Sequence, residues 1–165
     1  MTNQAWLLLG SNMGDKAQML RNARSGLVSI GCKITASSAV YRSAPWGFDA
    51  SEWFFNQALL VETESDALTL LHSILLIEQG LGRLRDGAGY ASRSIDIDML
   101  YYNDSVIESP ALTLPHPRMQ LRKFVLMPLA EISPDKVHPV LGLTSWQMLM
   151  QLADTTEVFK TDLDL

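Results

Sequence analysis

Asp96 and Asp98 occupy alternate positions in Ser94-Ile95-Asp96-Ile97-Asp98-Met99-Leu100, a run that otherwise reads as a buried β-strand. Side chains two apart on a strand share a face, so the carboxylates point the same way while Ile95, Ile97 and Met99 turn to the core. Two parallel anions at roughly 5 Å repel by about 3 kcal/mol at an effective dielectric near 20, and a divalent cation reverses that sign. Paired hard oxygen ligands that leave other positions to water and phosphate are how Mg²⁺ is held in phosphoryl-transfer sites. The plain alternative is a strand with a wet polar face. The surrounding cations weigh against it: Arg83, Arg85 and Arg93 precede the pair and His116, Arg118, Arg122 and Lys123 follow. Six of the chain's 13 Lys and Arg fall between positions 83 and 123. Guanidinium forks match phosphate oxygens bidentately, so this constellation fits a polyphosphate such as ATP better than solvent.

Such a strand needs a sheet to hold it. Trp6 to Leu9 reads as a first buried strand ended by Gly10-Ser11-Asn12, and Asp15 can cap a helix running to about Val28 that Gly31 closes. Thr35 to Arg42 reads as a second strand, followed by a loop through Pro45, Trp46 and Gly47, and Phe55 to Glu64 as a third. Ser65 is the expected cap of a second helix, with Leu68, Leu71, Ile74 or Leu75 and Glu78 at helical spacing and an end near Gly80 or Gly82. The glycine-bearing stretch from Asp86 to Ser92 has little to bury and is expected to be mobile. The fourth strand, Ser94 to Tyr102, turns at Asn103-Asp104 as a hairpin signal, and helices are expected over Phe124 to Ile132 and Thr144 to Leu152. The order βαββαβ predicts an α+β, ferredoxin-like antiparallel sheet with both main helices on one face and additional C-terminal helices. One domain is expected over residues 1–165.

Composition narrows the function classes. The net charge of −5 argues against a general nucleic-acid binder, which needs a basic surface. Cys32 is the single cysteine, so no internal disulfide forms, and it is expected to pack as a small apolar group at a helix end or strand start. With neither a basic leader nor a long apolar stretch before Trp6, a cytoplasmic protein with no membrane partner is expected. His72 and His138 have no acidic or metal partner in view and read as structural, and Phe54 and Phe124 taken alone read as core.

Six ordered segments carry a resemblance. They are Leu9-Gly10-Ser11-Asn12 with Gly14-Asp15; Tyr41 to Gly47; Phe54-Phe55-Asn56-Gln57-Ala58; Ile77-Glu78 with Gly82-Arg83-Leu84-Arg85; Ser92 to Asp98; and Leu114 to Met119 with Arg122 and Phe124-Val125-Leu126. From about Leu7 to Pro134 the chain resembles the 6-hydroxymethyl-7,8-dihydropterin pyrophosphokinase family of folate biosynthesis. The resemblance implies transfer of pyrophosphate from ATP to the pterin hydroxymethyl oxygen with release of AMP, with these two small molecules as partners; a monomer is expected. It implies two Mg²⁺ ions held by Asp96 and Asp98, with Asp96 close enough to help with the hydroxyl proton. It places Arg83, Arg85 and Arg93 on a catalytic loop, with Arg85 and Arg93 reaching the phosphates. His116 and Arg122 meet the phosphates from the other side, Glu78 faces the nucleotide, and Thr113 lies near the adenine or ribose. For the pterin it implies an edge-reading amide at Asn56, a sandwich of Phe54 and Phe124, and contacts from Ser43, Ala44, Trp46 and Tyr90. Where the family often shows Trp-Gly-Pro-Arg-Thr, this chain has Tyr90-Ala91-Ser92-Arg93-Ser94, and Ala44 stands where proline is common. Two other readings stay open: another Mg²⁺-dependent nucleotide-using transferase, and a non-catalytic ferredoxin-like module that binds a ligand.

Overall fold

The computed structural model describes residues 1–44, 53–82 and 95–165. Trp46, Arg83, Arg85, Tyr90 and Arg93, together with the stretch from Asp86 to Ser92 expected to be mobile, lie outside them. A six-stranded antiparallel sheet organises the rest. Its strands are β1 (Asn3–Ser11), β2 (Lys33–Ser37), β3 (Tyr41–Ser43), β4 (Phe54–Thr63) and β5 (Asp96–Tyr102), and a short β8 (Val158–Lys160) joins the edge. The order is β5-β1-β4-β3-β8, with β2 also on β4. Two further short strands, β6 (Ile107–Glu108) and β7 (Thr113–Leu114), pair with each other. The Asn103-Asp104 turn is therefore no hairpin. Instead Asn103 closes back on β1, its amide donating to the Gln4 carbonyl and its side-chain oxygen accepting from the Gln4 N–H.

The chain alternates on β1 because both faces of the sheet are covered. Ala5, Leu7 and Leu9 pack with Leu20, Ala23 and Leu27 of α1 (Lys16–Ser29) and Leu70 and Ile74 of α2 (Ala67–Gly80). Trp6 and Leu8 pack on the other face with Val125, Leu126 and Leu129 of α3 (Lys123–Ile132) and Met148 of α4 (Ser145–Gln151). Each fully buried leucine contributes roughly 2 kcal/mol of transfer free energy. On β5, Ile97 and Met99 face α1 and α2 while Asp96, Asp98 and Leu100 face the α3 side. One extra β5 residue, set between the Leu7–Met99 and Trp6–Tyr101 pairs, then turns Tyr101 to the α3 side as well.

Two further local expectations are corrected. The strand from Thr35 to Arg42 is two strands, because Ser37 pairs Leu59 while Tyr41 pairs Asn56, four steps against three. Ser38 holds the bulge by giving its N–H to the Ala58 carbonyl and accepting the Ala58 N–H on its hydroxyl. Asp66, not Ser65, caps α2, accepting the Thr69 N–H at 2.8 Å; the Ser65 carbonyl instead accepts the Tyr102 hydroxyl. Asp15 does cap α1. The edge strand β8 carried no signal, being three residues long.

Candidate active site

The sheet ends that lie under the N-terminus of α3 enclose a cavity of about 530 Å³. Its floor is the α3 face of four strands: Gly10 from β1, Asp96 and Asp98 from β5, Phe54 and Asn56 from β4, and Ser43 from β3. Cross-strand register makes the set contiguous, since Gly10 pairs with both Asn56 and Asp96, Leu8 pairs with Asp98, and Ser43 pairs with Phe54. Arg118, Leu121, Arg122, Phe124 and Asp154 form the opposite wall. Eight sequence-nominated residues thus meet: Asp96, Asp98, Arg122, Ser43, Ala44, Phe54, Asn56 and Phe124.

The cavity has two chemically distinct ends. At the β5 end the two half-buried carboxylates share a face, as the strand period requires. Among the described residues no group of three or more His, Cys, Asp or Glu side chains could hold a metal ion. A hard pair with no further protein ligands fits Mg²⁺ bound partly through substrate phosphates and water, and fits poorly a structural ion caged by protein. Arg122, whose guanidinium sits 5.7 Å from the Phe124 ring centroid, supplies cationic charge on the wall.

At the β4 end, Asn56 is 5% exposed and held from two sides. Its amide nitrogen donates to the Leu9 carbonyl and its oxygen accepts the Ser43 hydroxyl, both at 3.3 Å. A carbonyl only accepts, which fixes the amide orientation, and one N–H and one lone pair remain for a ligand edge. Phe54 and Phe124 are both half-buried and both line the cavity, leaving ring surface open to a flat molecule.

Glu78 is placed elsewhere than the resemblance implied. It lies on the buried stripe Ala67, Leu70, Ile74, Glu78 of α2, on the opposite face of the sheet, and is 2% exposed. Its carboxylate accepts the Ile97 N–H at 2.9 Å, midway between the two aspartates. Alternate N–H groups of an antiparallel strand point away from its neighbour, and at the sheet edge no further strand meets this one, so Glu78 takes it. Glu78 therefore anchors the backbone that carries the pair, and its spacing with Leu70 and Ile74 was the sequence signal for burial. Glu78→Ala is expected to lower stability by about 2 kcal/mol, because a buried donor loses its acceptor. That corresponds to a fall of roughly 4 to 8 °C in melting temperature by circular dichroism, and Glu78→Gln, which keeps an acceptor oxygen, should fall less.

Thr113 is exposed on β7 and His116 follows the cis Leu114–Pro115 bond; neither lines the cavity. The His116 backbone N–H donates to the Leu100 carbonyl on β5. Its Nδ1 lies 2.7 Å from the Pro117 carbonyl oxygen, so Nδ1 carries the proton and Nε2 is the outward nitrogen. His138 is structural, its buried ring accepting the Val140 and Leu141 N–H groups. Cys32 is buried between α1 and β2, where burial pushes its thiol pKa up.

Five cavity residues stand outside the eight nominated ones: Leu8, Gly10, Arg118, Leu121 and Asp154. Gly10 was read as a strand end and as part of the first resemblance segment, and Arg118 as one of the cations around the aspartate pair. Arg118 adopts a left-handed backbone with φ of 70° at the start of a 3₁₀ turn over Met119–Leu121, a conformation that is uncommon for arginine and turns the chain into the cavity wall. Asp154 belongs to the segment after α4; burial raises its pKa, but hydrogen bonds from Thr156 and the Lys123 N–H outweigh this and hold it below the ordinary carboxylate value.

Known proteins share both the sequence pattern and the fold. The family described as 7,8-dihydro-6-hydroxymethylpterin-pyrophosphokinase matches residues 6–134. A 2-amino-4-hydroxy-6-hydroxymethyldihydropteridine pyrophosphokinase of Methylorubrum extorquens is 45% identical over 135 residues, 81% of this chain and 85% of that protein. One from Synechocystis is 37% identical over 152 residues, 92% of this chain and 76% of that protein. A folic acid synthesis protein of Dictyostelium discoideum is 39% identical across 91% of this chain, which spans only 22% of that longer protein. Crystal structures of the Plasmodium falciparum HPPK-DHPS protein share the fold, one with a TM-score of 0.74 at 18% identity, covering 92% of this chain and 45% of that one. The chain belongs to the 7,8-dihydro-6-hydroxymethylpterin-pyrophosphokinase family.

Proposed function

We propose that residues 1–165 act as one catalytic unit that transfers pyrophosphate from ATP to the hydroxymethyl group of 6-hydroxymethyl-7,8-dihydropterin, releasing AMP. The observation that carries this reading is the cavity itself, which joins a carboxylate pair to an aromatic slot with an amide at its edge. The transferred group must bridge such ends. Asn56 pairs with the pterin edge, Phe54 and Phe124 hold its ring, and Ser43 and Ala44 line the slot, which points the hydroxymethyl arm towards β5, while Trp46 and Tyr90 are the further pterin contacts that the resemblance implies. Asp96 and Asp98 would hold two Mg²⁺ ions, which when bound supply charge neutralisation for the triphosphate. The new O–P bond forms at the β-phosphorus as the bond to the α–β bridging oxygen breaks, and Asp96 accepts the hydroxyl proton. Arg122 and His116, through Nε2, hold phosphate oxygens, and Arg83, Arg85 and Arg93 are the further phosphate-binding residues that the resemblance implies. Thr113 lies towards the nucleoside, and Glu78 serves the nucleotide by fixing β5. Positioning and charge stabilisation are most of what phosphoryl transfer requires.

The reading also places the protein as a monomer in the cytoplasm, a reducing compartment in keeping with its single buried thiol. Among the described residues no helix is long and apolar enough to cross a membrane. Incubating the purified chain with ATP, Mg²⁺ and the pterin, then resolving the nucleotides, tests the reaction. AMP is expected in step with pterin diphosphate and only with metal and both substrates present. ADP would mean simple phosphoryl transfer, and free pyrophosphate a nucleotidyl transfer; either would overturn the proposal.

A further inference from the structure

The segment after α4 touches both walls of the slot. α3 begins without a side-chain cap of its own, because its N-cap residue is Arg122. The missing acceptor comes from Asp154, 31 residues along the chain, whose Oδ2 accepts the Lys123 N–H at 3.1 Å. The other carboxylate oxygen accepts both the backbone N–H and the hydroxyl of Thr156, which fixes the rotamer. Lys123 lies between Arg122 and Phe124, both of which line the cavity. Three residues on, the Glu157 carbonyl accepts the Ala44 N–H at 3.1 Å, and Val158 pairs with Ser43 as β8 adds to β3. The five residues 154–158 therefore span from the Phe124 wall to the Ser43–Ala44 wall. They lie beyond residues 6–134, which match the family.

We infer that this strap sets the width of the aromatic slot, and that Asp154 is its positioning residue for pterin recognition. The inference rests on the pyrophosphokinase reading of the cavity. Without Asp154 the first turn of α3 has an unpaired N–H, and Phe124 loses its fixed distance from the strap and so from Ser43. The aspartate pair is carried on β5 and held there by β1 and Glu78, so the metal end should be indifferent to the change, and the nucleotide should feel it only weakly, through Arg122 at the N-cap of α3.

Asp154→Ala is expected to raise the pterin dissociation constant about five- to tenfold, the size of effect that loss of an N-cap has on an equilibrium. Affinity for a non-hydrolysable ATP analogue with Mg²⁺ should stay within about twofold, and saturated turnover should change little. Thr156 does not line the cavity, and Thr156→Val should shift pterin affinity the same way by about two- to threefold, giving a readout if the alanine variant folds poorly. Asp154→Asn, which keeps one acceptor, should fall between the wild type and alanine. Titration calorimetry with each ligand measures the split. Pterin and nucleotide affinities falling in parallel, or neither changing in both Asp154→Ala and Thr156→Val, would overturn the inference. Failure of the unaltered chain to bind pterin would instead overturn the functional reading and the inference with it.

Discussion

Replacing Asp96 or Asp98 with alanine is expected to lower turnover at least about a thousandfold while the protein stays folded. The chemical side of the expectation follows from the donor set. Each carboxylate supplies a hard anionic ligand on β5, whereas the other described carboxylate of the cavity, Asp154, already accepts from the Lys123 N–H and from Thr156. A loss of roughly 4 kcal/mol of transition-state stabilisation equals about a thousandfold in rate, within what metal-assisted phosphoryl transfer draws from its ligands. The structural side follows from burial. Both aspartates are half-buried on the cavity face, whereas Ile97 and Met99 between and after them carry the packing of β5. Removing one anion also removes like-charge repulsion, so the melting temperature should stay within about 3 °C of the wild type. The checks are AMP formation against Mg²⁺ concentration and a thermal melt. Near-normal turnover with unchanged Mg²⁺ dependence in both variants would overturn the metal assignment.

What could be read in the sequence followed the reach of each signal. The carboxylate pair was legible because a period of two within an apolar run fixes the face, and β5 keeps that period until its bulge near Leu100. Asp15 as a cap was legible from a local rule, whereas Ser65 and Asp66 satisfy the same rule and only tertiary contacts separate them. Nothing at Ser38-Ala39-Val40 resembles a strand break, because the bulge is held by a hydroxyl and by Ala58, twenty residues away. The aromatic slot was legible only through the ordered resemblance: Phe54 and Phe124 have no distinguishing local pattern and stand seventy positions apart. Asp154 escaped altogether. Its partners are a helix start 31 residues earlier and a threonine two residues later, and neither contact leaves a periodic trace. Glu78 was legible as helical and, by its spacing, as facing inward, whereas the N–H it accepts belongs to Ile97, nineteen residues along, and leaves no local trace.

Gly10→Ala is expected to weaken pterin binding by about ten- to a hundredfold with little effect on the nucleotide. A Cβ at Gly10 would come within 2.8 Å of the Asn56 amide nitrogen, closer than real side-chain contacts allow. Gly10 lies in the middle of a paired stretch, flanked by Asn56 on β4 and Asp96 on β5, so its own backbone cannot retreat. The side-chain amide must therefore rotate. Rotation breaks its bonds to the Leu9 carbonyl and the Ser43 hydroxyl inside a buried site, a cost of about 1 to 3 kcal/mol. It also turns the remaining N–H and lone pair away from the ligand edge, and a polar site that loses its match discriminates far more than one that loses a methylene. The nucleotide end would feel little, because Asp96 faces Gly10 across the backbone pair and not across the new methyl's nearest contact. A double-mutant cycle separates this account from general damage to β1. Once Asn56→Ala has removed the group in the way, adding Gly10→Ala should cost almost nothing further, giving a coupling energy of about 1.4 to 2.7 kcal/mol between the two positions. Equal losses from Gly10→Ala in both backgrounds would show that the glycine is needed for the strand and not for the amide, and would remove Asn56 from the recognition of the pterin edge.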